Sequence, residues 1–137
     1  MMTPEETVQA IRRFFAENDR GFAAVYVFGS VARALVEPAA TPNDVDIAVI
    51  RGSVKQGLEH FETPTTLALE QLLQKKVDLV IVDDASPDLG HRIIRDGIVV
   101  SETDRSKRLA WETRTRALYF DLLPVLNRIR RTPAHLR

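Results

Sequence analysis

Three short apolar runs decide what this chain can fold into. Phe22 to Phe28 (FAAVYVF), Asp44 to Ile50 (DVDIAVI) and Val77 to Val82 (VDLVIV) are rich in β-branched and aromatic residues, the pattern of buried strands. Helical signals fill the gaps. Thr3-Pro4-Glu5-Glu6 reads as a capping box with proline in the first turn. Val8, Ile11 and Phe15 then share one helical face, with Gly21 as the stop. Val31 to Leu35 predicts a short helix, and Val36 to Asn43, with two prolines, a loop. Helical pieces follow to Lys75, with Thr63-Pro64 as a further cap signal; a loop and helix span Asp83 to Asp96, closed by Gly97. Ile98 to Val100 is a candidate short strand, and Thr103-Asp104 opens a long basic helix that Pro124 should kink or end. The expectation is an α/β (α+β) domain: a small mixed sheet with flanking helices and a C-terminal helical tail.

Composition narrows the function. The 137 residues suffice for one core-forming domain, 1–137. With no cysteine, disulfides, thiolate metal sites and cysteine nucleophiles are excluded. The acidic start, Met1 to Glu6, does not read as a signal or transit peptide, and no apolar run reaches spanning length. A cytoplasmic protein with no membrane association is therefore expected. Formal charge is zero, yet residues 1–103 carry 10 basic and 16 acidic side chains while 104–137 carry 9 and 3. Such a split is expected to give the two parts, 1–103 and 104–137, different jobs.

The chemistry lies in the strands. Aspartate is a poor strand former, yet Asp44, Asp46 and Asp78 stand in or at the edge of apolar runs. Two carboxylates at i and i+2 lie roughly 6–7 Å apart on one face, and at an effective dielectric near 20 they repel by about 2.5 kcal/mol. Water, protons or a divalent cation must relieve this, and an oxygen-only donor set suits Mg²⁺ or Mn²⁺. Alone, Asp-x-Asp is most often a solvent-facing strand or a turn cap. Upstream, Gly29-Ser30 follows a buried strand and opens a helix, where close backbone approach and free N–H groups favour phosphate. Arg33, one turn on, adds charge for a triphosphate. Alone, Gly-Ser is equally a turn with a serine cap, and Arg33 a solvated helix charge. The ordered combination is far more specific.

The elements VYVFGSVAR, NDVDIAV and VDLVIVD together resemble the DNA polymerase β-like nucleotidyltransferase superfamily, and the length resembles its minimal nucleotidyltransferase (MNT) branch, whose members are antitoxins paired with HEPN-domain toxins. The resemblance runs from about Val25 to Arg130 and includes GHRIIRDGIVVSE. It implies the polymerase β-like fold. It also implies that Gly29, Ser30 and Arg33 hold the phosphates of ATP, and that Asp44 and Asp46 bind two Mg²⁺ ions. Asp78 would bind the metal on the nucleophile side and help deprotonate an acceptor hydroxyl. The reaction implied is AMP transfer to a tyrosine of a HEPN RNase toxin, in a hetero-oligomer. Two departures stand out: Ala34 replaces the family's common glycine, and the 13 residues between Ser30 and Asp44 exceed its usual spacing. They leave room for a non-catalytic antitoxin that acts by binding. A small-molecule nucleotidyltransferase is the third reading, weakened by the lack of an acceptor domain.

In the tail, Trp111, Leu118 and Leu122 form an apolar stripe among Arg105, Lys107, Arg108, Arg114 and Arg116. Either the stripe packs on the sheet, or Trp111, Tyr119 and Phe120 with the arginines form a protein-partner surface. Direct nucleic-acid binding is not expected of so short a basic segment. His60, His91 and His135 lack metal-ligand spacing. Tyr26 is expected in the core, and Asp83-Asp84 as a helix cap.

Overall fold

The computed structural model describes residues 2–37, 44–52 and 58–133. In chain order the elements are α1 (Pro4–Glu17), β1 (Phe22–Phe28), α2 (Gly29–Val36), β2 (Val45–Arg51), α3 (Leu58–Leu73) and β3 (Val77–Ile81). A 3-10 turn (Val82–Asp84), α4 (Pro87–Asp96), β4 (Ile98–Glu102) and α5 (Arg105–Arg131) follow. The sheet runs β3-β2-β1-β4. β1 is antiparallel to both β2 and β4, and β2 is parallel to β3, so the sheet is mixed.

Two apolar layers hold it. Val25, Val27, Ile47 and Val49 face α1 and α3, meeting Val8, Ile11, Phe15, Leu69 and Leu73 with Val31 of α2. Alternate residues, Ala24, Tyr26, Phe28, Ala48 and Ile50, face Ile93 of α4 and Trp111 of α5. Each fully buried aliphatic side chain contributes on the order of 1.5–3 kcal/mol. That exceeds the roughly 1 kcal/mol span of strand propensities, so Asp46 is carried within β2 by its neighbours.

The capping box forms as expected: Thr3 Oγ1 accepts from the Glu6 N–H and Glu6 Oε1 accepts from the Thr3 N–H, both at 3.1 Å. Three local expectations are corrected, and of the two expected at Pro124 one is excluded. α1 ends at Glu17, before Gly21, because the Asn18 N–H bonds back to the Phe14 carbonyl; Gly21, at φ +79°, instead turns the chain into β1. Thr63-Pro64 is no cap, since Pro64 lies inside α3, where Thr65, Leu69 and Leu73 are buried and tertiary packing outweighs the lost hydrogen bond. The cap of α4 is Ser86, whose Oγ accepts from the Leu89 N–H at 3.2 Å, while Asp83-Asp84 close the 3-10 turn. Pro124 does not end α5, which continues to Arg131.

Candidate active site

The sheet topology gathers the expected residues at one end of β1. Phe28, the last residue of β1, stands opposite Asp46, and Asp46 stands in register beside Asp78 on the parallel β3. Gly29 follows Phe28 directly and opens α2. Adjacent strands lie about 4.8 Å apart, so Asp46 is flanked by the Gly29 backbone on one side and a second aspartate on the other. Asp44 precedes β2, anchored by the hydrogen bond from the Val45 N–H to the Lys76 carbonyl at 3.0 Å. The start of β3 is fixed by the Val77 N–H donating to Glu70 Oε2 at 3.0 Å. Asp44 and Asp46 are half-buried; Asp78 is exposed.

Glycine at position 29 has two structural reasons. Its φ is +69°, and a Cβ built there would sit 2.1 Å from Asp46 Oδ2. The missing side chain is the space the Asp46 carboxylate occupies. Ser30 is placed differently from the simple phosphate-donor picture. Its hydroxyl donates to the Asp44 carbonyl at 3.0 Å, tying the start of α2 to the entry of β2. What α2 offers an anion is its backbone: Phe28 at the N-cap supplies no side-chain hydrogen bond to the first-turn N–H groups.

Electrostatics single out Asp46. Burial, then the Asp78 carboxylate and then that of Asp44 push the Asp46 carboxyl above the ordinary aspartate range; the Arg33 guanidinium partly offsets them. Arg33 is exposed on α2, and its field also reaches Asp96 at the end of α4. The Asp96 carboxyl is held below its usual range, chiefly by its hydrogen bonds from Arg95 and further by Arg33 and Arg92. This acidic and basic rim from α4 was not legible beforehand: Arg92 and Asp96 lie 59 and 63 positions beyond Arg33, and the fold brings α4 back to it.

Among the described residues, no group of three or more His, Cys, Asp or Glu side chains is already drawn together as a metal cage. The donor set nonetheless fits a hard divalent cation: it is all carboxylate oxygen, and Asp46 is held against its own like-charge repulsion. A cavity of about 290 Å³ lies beside Asp78, lined by Thr63, Thr66, Leu67, Val77 and Leu79. A larger one, about 370 Å³, lies at the far end of β1, against Arg12, Phe15, Arg20 and Phe22, away from the three aspartates.

The polymerase beta nucleotidyltransferase family model matches residues 9–106. The chain belongs to that nucleotidyltransferase family. Solved structures agree on the fold. A toxin–antitoxin complex with AMP-PNP is matched at a TM-score of 0.64 and 20% identity, over 89% of this chain and 97% of that one. The tri-AMPylated Shewanella oneidensis HEPN toxin in complex with MNT antitoxin is matched at 0.62 and 18%, over 92% and 98%. A protein described as a minimal nucleotidyltransferase is matched at 0.52 and 33%, over 71% and 95%. None of the curated proteins matches. Among the described residues, no helix of the nucleotidyltransferase is long and apolar enough to cross a membrane.

The remaining sequence candidates fall into two groups. Tyr26 is a core residue, 2% exposed, as expected. Trp111 is also core, packed 5.8 Å from the Tyr26 ring, which removes it from any partner surface. Tyr119 stacks on His91 at 3.7 Å, and Phe120 projects outward. His60 and His135 lie outside the described side chains.

Proposed function

We propose that this nucleotidyltransferase is an MNT-type antitoxin that transfers AMP from ATP to a tyrosine of a cognate HEPN RNase toxin and so silences it. The observation that carries the reading is the juxtaposition of Gly29, Asp46 and Asp78 across three strand ends, with Asp44 at its edge. The solved complexes of related fold, one holding AMP-PNP and one an AMPylated HEPN toxin, support the choice of nucleotide and acceptor.

In this reading Asp44, Asp46 and Asp78 would hold two Mg²⁺ ions, which would supply charge neutralisation to the transfer. The backbone at Gly29 and Ser30 holds the terminal phosphates at the start of α2, with Arg33 adding charge at the rim. Ser30's hydroxyl positions Asp44. The tyrosine oxygen attacks the α-phosphorus, the bond to the β-phosphate oxygen breaks, pyrophosphate leaves, and Asp78 takes the tyrosine proton. Catalysis rests on positioning and charge neutralisation. The basic segment 104–137 serves as the partner-binding part.

Ala34 does not favour the binding-only alternative. It lies inside α2, 6% exposed, and among the described non-glycine residues only Gln74 has positive φ, so position 34 needs no glycine. The test is transfer of label from α-phosphate-labelled ATP with Mg²⁺ and the cognate toxin. Wild type should label the toxin and Asp44→Ala/Asp46→Ala should not; an unlabelled toxin in both samples would overturn the enzymatic reading.

A further inference from the structure

The stripe on α5 changes character half-way along. Trp111 and Thr115 are buried, the latter beneath Gly90 of α4, where an added Cβ would meet Thr115 Cγ2 at 2.7 Å. The same face continues at Leu118, Leu122, Val125 and Ile129, spaced four, three and four residues apart, and these are 46%, 38%, 44% and 47% exposed. Such spacing is the seam of a helix that packs along another helix. A small cavity of about 80 Å³, lined by Pro87, Trp111, Arg114, Thr115 and Leu118, marks where the covered part of the seam gives way to the open part. His91 and Asp88 of α4 engage α5 instead at Tyr119 and Arg130.

Charge decides between occupants. By helical spacing Arg114, Asp121 and Arg128 flank the open seam on one side, four residues before Leu118, Val125 and Thr132 respectively. Both Arg114 and Arg128 are exposed, and the segment from residue 104 onward carries 9 basic against 3 acidic side chains. A second copy laid antiparallel on this seam would bring Arg114 toward Arg128 of its mate and Asp121 toward Asp121. A partner helix with carboxylates beside its apolar residues meets neither conflict.

We infer that Leu118, Leu122, Val125 and Ile129 of α5 form the docking seam for a single amphipathic helix of the acceptor protein, one whose apolar stripe is flanked by acidic residues. This rests on the reading that the acceptor is a protein. The seam then holds the acceptor while the aspartates act elsewhere on the same chain, so docking and chemistry are separable.

The experiment uses the full chain with the cognate HEPN toxin and measures complex formation by calorimetry at low and high salt. Three variants are compared: Leu122→Ser/Val125→Ser in the seam, Arg114→Glu/Arg128→Glu at its flank, and Phe120→Ser on a different face. The expected result is at least tenfold weaker binding for the seam and flank variants, with Phe120→Ser binding as wild type. Wild-type affinity should fall as salt rises, and nucleotide binding should persist in the seam variant, showing that it is folded. Unweakened binding by a folded seam variant overturns the seam and leaves the functional reading standing. A wild-type dimer, seen by sedimentation and abolished by the seam substitutions, overturns the choice of occupant. Failure of the wild-type chain to bind the toxin at all overturns both.

Discussion

A methyl group at position 29 has nowhere to go. The backbone there is left-handed, a conformation that costs an ordinary residue roughly 1–2 kcal/mol, and the methyl would contact the Asp46 carboxylate. Gly29→Ala is therefore expected to lower stability by about 1–3 kcal/mol in urea unfolding, the usual range for a damaging point change. It should also cut AMP transfer by about 100-fold or more, because displacing a catalytic group by about 1 Å costs that much. Asp46 gives a prediction of opposite sign for stability. Its folded pKa lies above its ordinary value of 3.8, so the native state binds the proton more tightly than the unfolded chain. Stability of the metal-free protein then falls as pH rises from the ordinary aspartate value through the raised one. Asp46→Asn should melt at a higher temperature than wild type in EDTA at pH 7, with the difference shrinking toward pH 4, while losing transfer activity. A lower melting temperature for the variant at pH 7 would contradict the strain assigned to this carboxylate. Both residues were legible in the sequence as chemistry. Their mutual dependence was not, since it arises only when antiparallel pairing sets Phe28 opposite Asp46.

At the scale of elements, α5 is fastened to the sheet by a polar chain that runs from the buried Tyr26 to the exposed Glu102. The Tyr26 hydroxyl donates to Glu112, and Arg108 donates to both Glu112 and Glu102. Burial and the adjacent Glu112 carboxylate push the Tyr26 hydroxyl well above its ordinary range, keeping it a donor. Tyr26→Phe leaves the aromatic contact with Trp111 but takes one donor from a buried carboxylate. Hydrogen bonds to charged groups are worth about 1.5–3 kcal/mol, and chemical denaturation should show a loss of that size without loss of nucleotide binding. Helix starts such as Thr3 and strand cores such as Phe22 to Phe28 could be read directly from local pattern. Pro64 and Pro124 could not, because packing at Thr65, Leu69 and Leu73 and the length of α5 outweigh the local cost of proline. The strand Ile98–Glu102 was only half-legible: the run is short and loses its apolar character at Ser101, and what makes it a strand is its pairing with β1.

Across the whole molecule, the balanced total charge conceals an uneven distribution that follows the topology. The acidic stretch contains Asp44, Asp46 and Asp78 at the strand ends, while the basic stretch contains α5, whose last buried residue is Thr115. The sheet and its two helical layers were foreseeable because β1 and most of β2 are apolar on both faces. The strand order was not, since parallel pairing of β2 with β3 depends on how α3 crosses between them. The hydrogen bond from Ser30 to the Asp44 carbonyl carries a wider consequence. It pins the first turn of α2 to the residue that enters β2, across 13 intervening positions. Closing a loop costs free energy only as the logarithm of its length, so three residues added to such a span cost about 0.2 kcal/mol. Insertions placed after Val36 should therefore be nearly neutral for folding, whereas those inside α2 would displace the buried Val31, Ala32 and Ala34.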